Sequence, residues 1–129
     1  MLRSSLLVAT VLFCAGCYHG QRLATFGPAQ SPAGIFSDLR LRQTRVRGEL
    51  LEVQDSALVV VTSEAKVMLV YFDDLRSWRF GDKGAFVGDG GDIPVDRLRS
   101  FSRYPAGMTP DVRAQLLSAY GQTEIEVAR

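Results

Sequence analysis

Four arginines, Arg40, Arg42, Arg45 and Arg47, place four positive charges within eight residues. A guanidinium carries a fixed charge and a planar fork of donors, so such a cluster suits phosphate or carboxylate recognition. On extended chain Arg40 and Arg42 share a face, as do Arg45 and Arg47. The chemistry this implies is docking onto phosphate headgroups or an acidic polymer, with a solvated outer sheet face as the alternative. Other candidates are weaker. Asp73 and Asp74 are adjacent and point apart on an extended chain, which makes them a poor acid/base pair and good turn residues. His19 is the single histidine. A metal site needs several convergent ligands, and a Ser-His or Cys-His nucleophile pair needs a histidine near the nucleophile. Asp89-Gly-Gly-Asp92 lacks the alternating oxygens and twelfth-position Glu of a calcium hand, and no phosphate-loop pattern is present. The residues therefore predict no enzyme, no cofactor and no metal.

The elements that would carry the arginines read as short strands. Leu39 and Leu41 alternate with Arg40 and Arg42. Val46, Gly48 and Leu50 continue an alternation that changes phase at Leu50-Leu51, where a bulge or bend is expected beside Gly48. Gln54-Asp55-Ser56 is turn chemistry. ALVVVT, residues 57–62, is β-branched and reads as a strand buried on both faces. Ser63-Glu64-Ala65 makes another turn, VMLVYF (67–72) another strand, and LRSWRF (75–80) a last alternating one. This is an antiparallel meander of four or five strands whose edges a small barrel would close. Near the carboxyl end Thr109 is a suitable N-cap, Pro110 suits the first helical position and Gly121 the position past the end. Val112, Leu116, Leu117 and Tyr120 form one apolar stripe. TEIEV, residues 123–127, alternates and is expected to add an edge strand.

Phe72-Asp-Asp-Leu-Arg-Ser-Trp78 recurs as Val95-Asp-Arg-Leu-Arg-Ser-Phe101, identical at four of seven positions. Two short copies are too few for a repeat. They read as similar local solutions in which an Asp ends a strand or caps a turn and apolar residues re-enter the core.

The front of the chain has a different character. Arg3 precedes an apolar run, LLVATVLF (6–13), followed by Ala15, Gly16 and Cys17. The run is shorter than the roughly 20 residues that span a bilayer and has the layout of an export signal. Cys14-Ala15-Gly16-Cys17 resembles the lipobox of bacterial lipoproteins. That resemblance implies cleavage between Gly16 and Cys17, diacylglycerol on the Cys17 sulfur, and anchoring of the chain to a bilayer. Several acyl chains on one residue hold firmly, since each buried methylene adds about 0.8 kcal/mol. Tyr18, where an Asp would favour inner-membrane retention, implies the outer membrane. Residues 18–34, rich in Gly, Pro and Gln, read as a flexible tether.

The stretch 46–80 resembles the small barrels of the Sm-like type. Val46-Arg47-Gly48-Glu49-Leu50-Leu51, the turn at Asp55 and Ala57-Leu58-Val59-Val60-Val61 carry that likeness, with Phe72-Asp73-Asp74-Leu75-Arg76 as the short connection into the closing strand. The positions that bind RNA in that fold are not matched, and a net charge of +1 gives no whole-molecule pull toward nucleic acid.

The expected organisation is a signal peptide (1–16), a lipidated tether (17–34), a small β-barrel (35–80), a loop region with an extra strand (81–108), and a helix with a short strand (109–129). The expected role is a membrane-anchored, non-enzymatic binding or scaffolding lipoprotein of the cell envelope. Its partners would be the bilayer through Cys17 and an envelope protein or anionic polymer. The alternatives are a ring-forming homo-oligomer and a small cell-wall-acting enzyme using Asp residues.

Overall fold

The computed structural model describes residues 33–81 and 86–129. Cys14, Gly16, Cys17, His19, most of the expected tether and residues 82–85 lie outside the described residues. Within them the chain is mainly β. Strands β1 (Phe36–Arg40), β2 (Arg45–Val53), β3 (Ala57–Thr62), β4 (Val67–Tyr71), β5 (Ser77–Phe80), β6 (Phe86–Asp89) and β7 (Glu126–Val127) form one sheet in the order β6-β5-β1-β2-β3-β4-β7. Two helices accompany it, α1 (Val95–Phe101) and α2 (Pro110–Ala119), and a 3₁₀ turn (Phe72–Asp74) links β4 to β5.

The first five strands stand where the sequence places them, but the sheet has seven strands and is not closed into a barrel. Closure would pair β4 with β5. Instead β7 occupies the free side of β4 and β6 the free side of β5. The sheet is also mixed, because β7 runs parallel to β4. All other pairings are antiparallel.

Local chemistry accounts for the register. β2 pairs with β3 through Leu50↔Val60 and Glu52↔Val59, so Leu51 is the extra residue of a bulge. The bulge turns Leu50 into one core and Leu51 into another. It also frees backbone groups of β2, and neighbouring chain takes them up. Ile35 O accepts from Leu50 N at 2.9 Å, while Leu50 O and Leu51 O accept from Arg103 N and Tyr104 N at 3.0 and 2.8 Å. Gly48 permits the close β2–β3 approach beside the bulge, since a Cβ there would stand 2.0 Å from Val61 O.

Each sheet face covers its own core. On one face Leu39, Leu50, Leu58, Val60, Val70, Trp78 and Phe80 pack with Leu98 of α1 and Ala128 beyond β7. On the other, at the β3–β4 side, Leu51, Val59, Val61 and Val67 pack with Tyr104, Met108, Leu116 and Leu117. β3 is therefore buried on both faces, as its unbroken β-branched run predicts. The apolar stripe of α2 covers the second core, with Val112 and Tyr120 at its margin. Thr109 caps α2 by accepting from Val112 N at 3.3 Å. Gly121, at φ +68°, ends it: Gln122 N donates to Leu117 O and Gly121 N to Ser118 O, the paired bonds of a Schellman motif.

The echoed heptapeptides do not fold alike. Residues 72–78 make a 3₁₀ turn leading into β5, and residues 95–101 make α1. Leu75 and Leu98 are buried in both, but Trp78 is buried and Phe101 exposed.

Candidate functional site

The arginine cluster lies on the part of the sheet that α2 leaves open. Two cross-strand rows set it out. Val87, Arg79, Asp38 and Arg47 stand in register across β6, β5, β1 and β2. Asp89, Ser77, Arg40 and Arg45 form the next row. Residues directly opposite one another share a face, and alternation adds Phe36 to the same face of β1. The same sheet face is thus apolar and helix-covered over β3 and β4 but charged over β1, β2 and β5.

Asp38 organises the charges. Arg45 reaches it with a two-pronged contact, Nε to Oδ1 at 2.7 Å and Nη2 to Oδ2 at 2.5 Å. Arg47 Nε stands 3.9 Å from Oδ2. The hydrogen-bonded Arg45 guanidinium holds the Asp38 carboxyl below the usual carboxylate range, against a partial desolvation that raises it, and the charges of Arg45, Arg47 and Arg79 add to the lowering. The same pair raises the Arg45 guanidinium above its ordinary value. Without Asp38, Arg40 would face Arg45 across the β1–β2 pair with no nearby carboxylate to offset the repulsion. Arg47 also lies over the Phe36 ring, 5.8 Å from its centroid.

Three of the four arginines singled out in the sequence therefore share one surface, and the fourth does not. β1 ends at Arg40, so Arg42 falls in the β1–β2 turn. There it lines a separate surface cavity of about 460 Å³ with Leu41, Gln43, Tyr71, Asp74, Val127 and Arg129. Arg79 and Asp38 complete the face and were not among the sequence candidates. Their signal was present in the alternation of β1 and β5, but only the β1–β5 pairing brings them together.

A second charged feature is buried. Glu49 and Arg103 are 8 and 7% exposed at their side chains, with Oε1 3.4 Å from Nη1. Glu49 Oε1 also accepts from Gly34 N at 2.6 Å. The pair ties the first described residues to β2 and to the segment after α1. Asp73 and Asp74 occupy the 3₁₀ turn and are exposed. Among the described residues no group of three or more His, Cys, Asp or Glu side chains is placed to hold a metal ion, and no helix is long and apolar enough to cross a membrane.

Comparison with protein-family models, curated proteins and solved structures finds no match to the chain. The arginine face consequently rests on its geometry: fixed positive charge, one organising carboxylate and an apolar margin. Forked cationic donors of this kind are chemically suited to phosphate or carboxylate groups. The face has no nucleophile–base pair and no converging carboxylates.

Proposed function

We propose that the protein is a lipid-anchored lipoprotein of the bacterial cell envelope, with a non-enzymatic binding or scaffolding role. The observation that carries this reading is the run LLVATVLF followed by Cys14-Ala15-Gly16-Cys17. An apolar segment too short to span a bilayer, ending in two small residues and a cysteine, suits export and acylation rather than insertion. Cys17 would carry the acyl chains after cleavage at Gly16. Tyr18 favours the outer membrane over the inner. Residues 18–32 would form most of the tether that joins the anchor to the sheet.

The strand order β5-β1-β2-β3-β4, with a 3₁₀ turn leading into β5, supports relating this domain to the Sm-like architecture in an opened form. In this reading β6 and β7 are additions along the two sides that would otherwise meet. The partner bound would be an anionic surface or polymer of the envelope, not nucleic acid.

Metabolic labelling with palmitate tests the anchor. Wild type is expected to incorporate label and to sediment with membranes. The Cys17→Ala variant is expected to do neither. Equal labelling of the two chains, or recovery of the unacylated wild type from the cytosol with residues 1–16 intact, would overturn the proposal.

A further inference from the structure

We propose that the arginine face of β1, β2 and β5 docks flat onto an anionic phospholipid bilayer, so that the domain lies against the membrane instead of hanging free from it. The inference deepens the proposed lipid anchoring and rests on it only for bringing the domain near the bilayer.

Three observations point to this occupant. The first is charge. Arg40, Arg45, Arg47 and Arg79 face outward with Asp38 as the exposed side's central carboxylate, Glu49 being buried against Arg103 and Asp89 standing at the β6 margin. Asp38 is engaged chiefly by Arg45. Among the described residues no carboxylate lies within ion-pair distance of Arg40 or Arg79. Fixed, forked donors without internal partners suit phosphodiester headgroups.

The second is the apolar margin. Phe36 is 36% exposed and Val87 62% exposed. Val87 is in register with Arg79, and Phe36 lies under Arg47. Basic side chains interleaved with apolar ones fit the headgroup and acyl boundary, where both kinds find a favourable environment. A soluble acidic polymer would use the arginines and leave Phe36 and Val87 wet.

The third is position. Phe36 stands two residues after Gly34, so this face begins where the tether meets the sheet. If the proposed tether behaves as a random coil, its sixteen residues 18–33 would reach about 20–25 Å. That keeps the face within a few screening lengths of the surface, each about 8 Å at physiological salt, and makes its effective concentration at the bilayer high. The two helices do not obstruct it. α2 covers the β3–β4 side of that sheet face, and Leu98 of α1 packs into the core on the opposite face.

The test uses the acylated full chain with Val87→Cys carrying an environment-sensitive fluorophore. It is reconstituted into vesicles of phosphatidylcholine alone, or with about one-third phosphatidylglycerol. The expected result is a blue-shifted, brighter signal on the phosphatidylglycerol vesicles only, reversed by raising the salt to about 0.5 M. Arg40→Gln and Arg79→Gln, both at exposed positions, should each reduce the docking equilibrium by about fivefold. The salt reversal in the labelled Val87→Cys chain with all four arginines intact keeps the test independent of how those variants fold. Equal signals on neutral and anionic vesicles overturn the proposal. So does a response to soluble dextran sulfate with none to phosphatidylglycerol, which would assign the face to an acidic polymer. The mass of the purified chain reports acylation separately, so failure of the anchor and failure of docking are distinguishable.

Discussion

At the scale of single residues, Asp38 decides whether the arginine face is a stable surface or a strained one. Its carboxyl is held low by the Arg45 hydrogen bond and the surrounding guanidinium charges. A carboxyl whose folded value lies below its unfolded value binds fewer protons when folded. It therefore contributes stability above the unfolded range, near pH 4, and loses it as the pH falls through the folded value. Asp38→Asn should accordingly be less stable than wild type in urea melts at pH 7 and pH 5, and the difference should shrink at pH 3. A difference unchanged across that range would show that Asp38 acts through something other than its charge. Glu49 is a different case because its pair is buried. Removing one partner of such a buried pair typically costs 3–5 kcal/mol. With Oε1 at 3.4 Å from Arg103 Nη1 and 2.6 Å from Gly34 N, Glu49→Ala should lie at the low end, about 3 kcal/mol, in thermal or chemical unfolding. Glu49→Gln, which keeps an acceptor for Gly34, should cost less.

At the scale of elements, the parts most legible in the sequence were those governed by local rules. Residues 57–62 are β-branched throughout, and they form a strand buried on both faces. The phase change at Leu50-Leu51 is the bulge itself. Thr109, Pro110 and Gly121 mark the start and end of α2 within a residue. The cap gives a prediction at this scale: Thr109→Ala should destabilise the domain by about 1 kcal/mol, and Thr109→Ser should restore most of it. A loss well above that would mean the Thr109 side chain holds more than the helix start. α1 was not legible. Its seven residues are too few to show a helical period, its N-cap is Pro94 with no side-chain bond, and its likeness to residues 72–78 suggested a turn. Helix formation there is a tertiary effect, supported by burial of Leu98 and by Arg99, whose Nε donates to Val53 O at 3.2 Å and whose Nη2 donates to Asp55 Oδ1 at 2.5 Å. The arginine face was half legible for a similar reason. Arg40, Arg45 and Arg47 follow from spacing within adjacent strands, whereas Arg79 joins them only through pairing of β1 with a strand some forty residues away.

At the scale of the whole molecule, the expected antiparallel barrel became an open, mixed sheet because residues beyond the first five strands took its closing sides. β6 and β7 are short, four and two residues, and local patterning gives no measure of whether a two-residue strand will displace a closing pair. Both cores nevertheless lie where the sequence alternation puts apolar side chains, one on each sheet face. In the proposed anchoring the tether would enter the sheet at β1, and that has a mechanical consequence. β1 sits inside the sheet, hydrogen-bonded antiparallel to β2 on one side and β5 on the other. Those bonds run across the strand axis, so a pull transmitted along β1 from its amino end loads two ladders in shear and strains their bonds together rather than peeling them one after another. A module moored through an interior strand resists tugging far better than one moored through a rim.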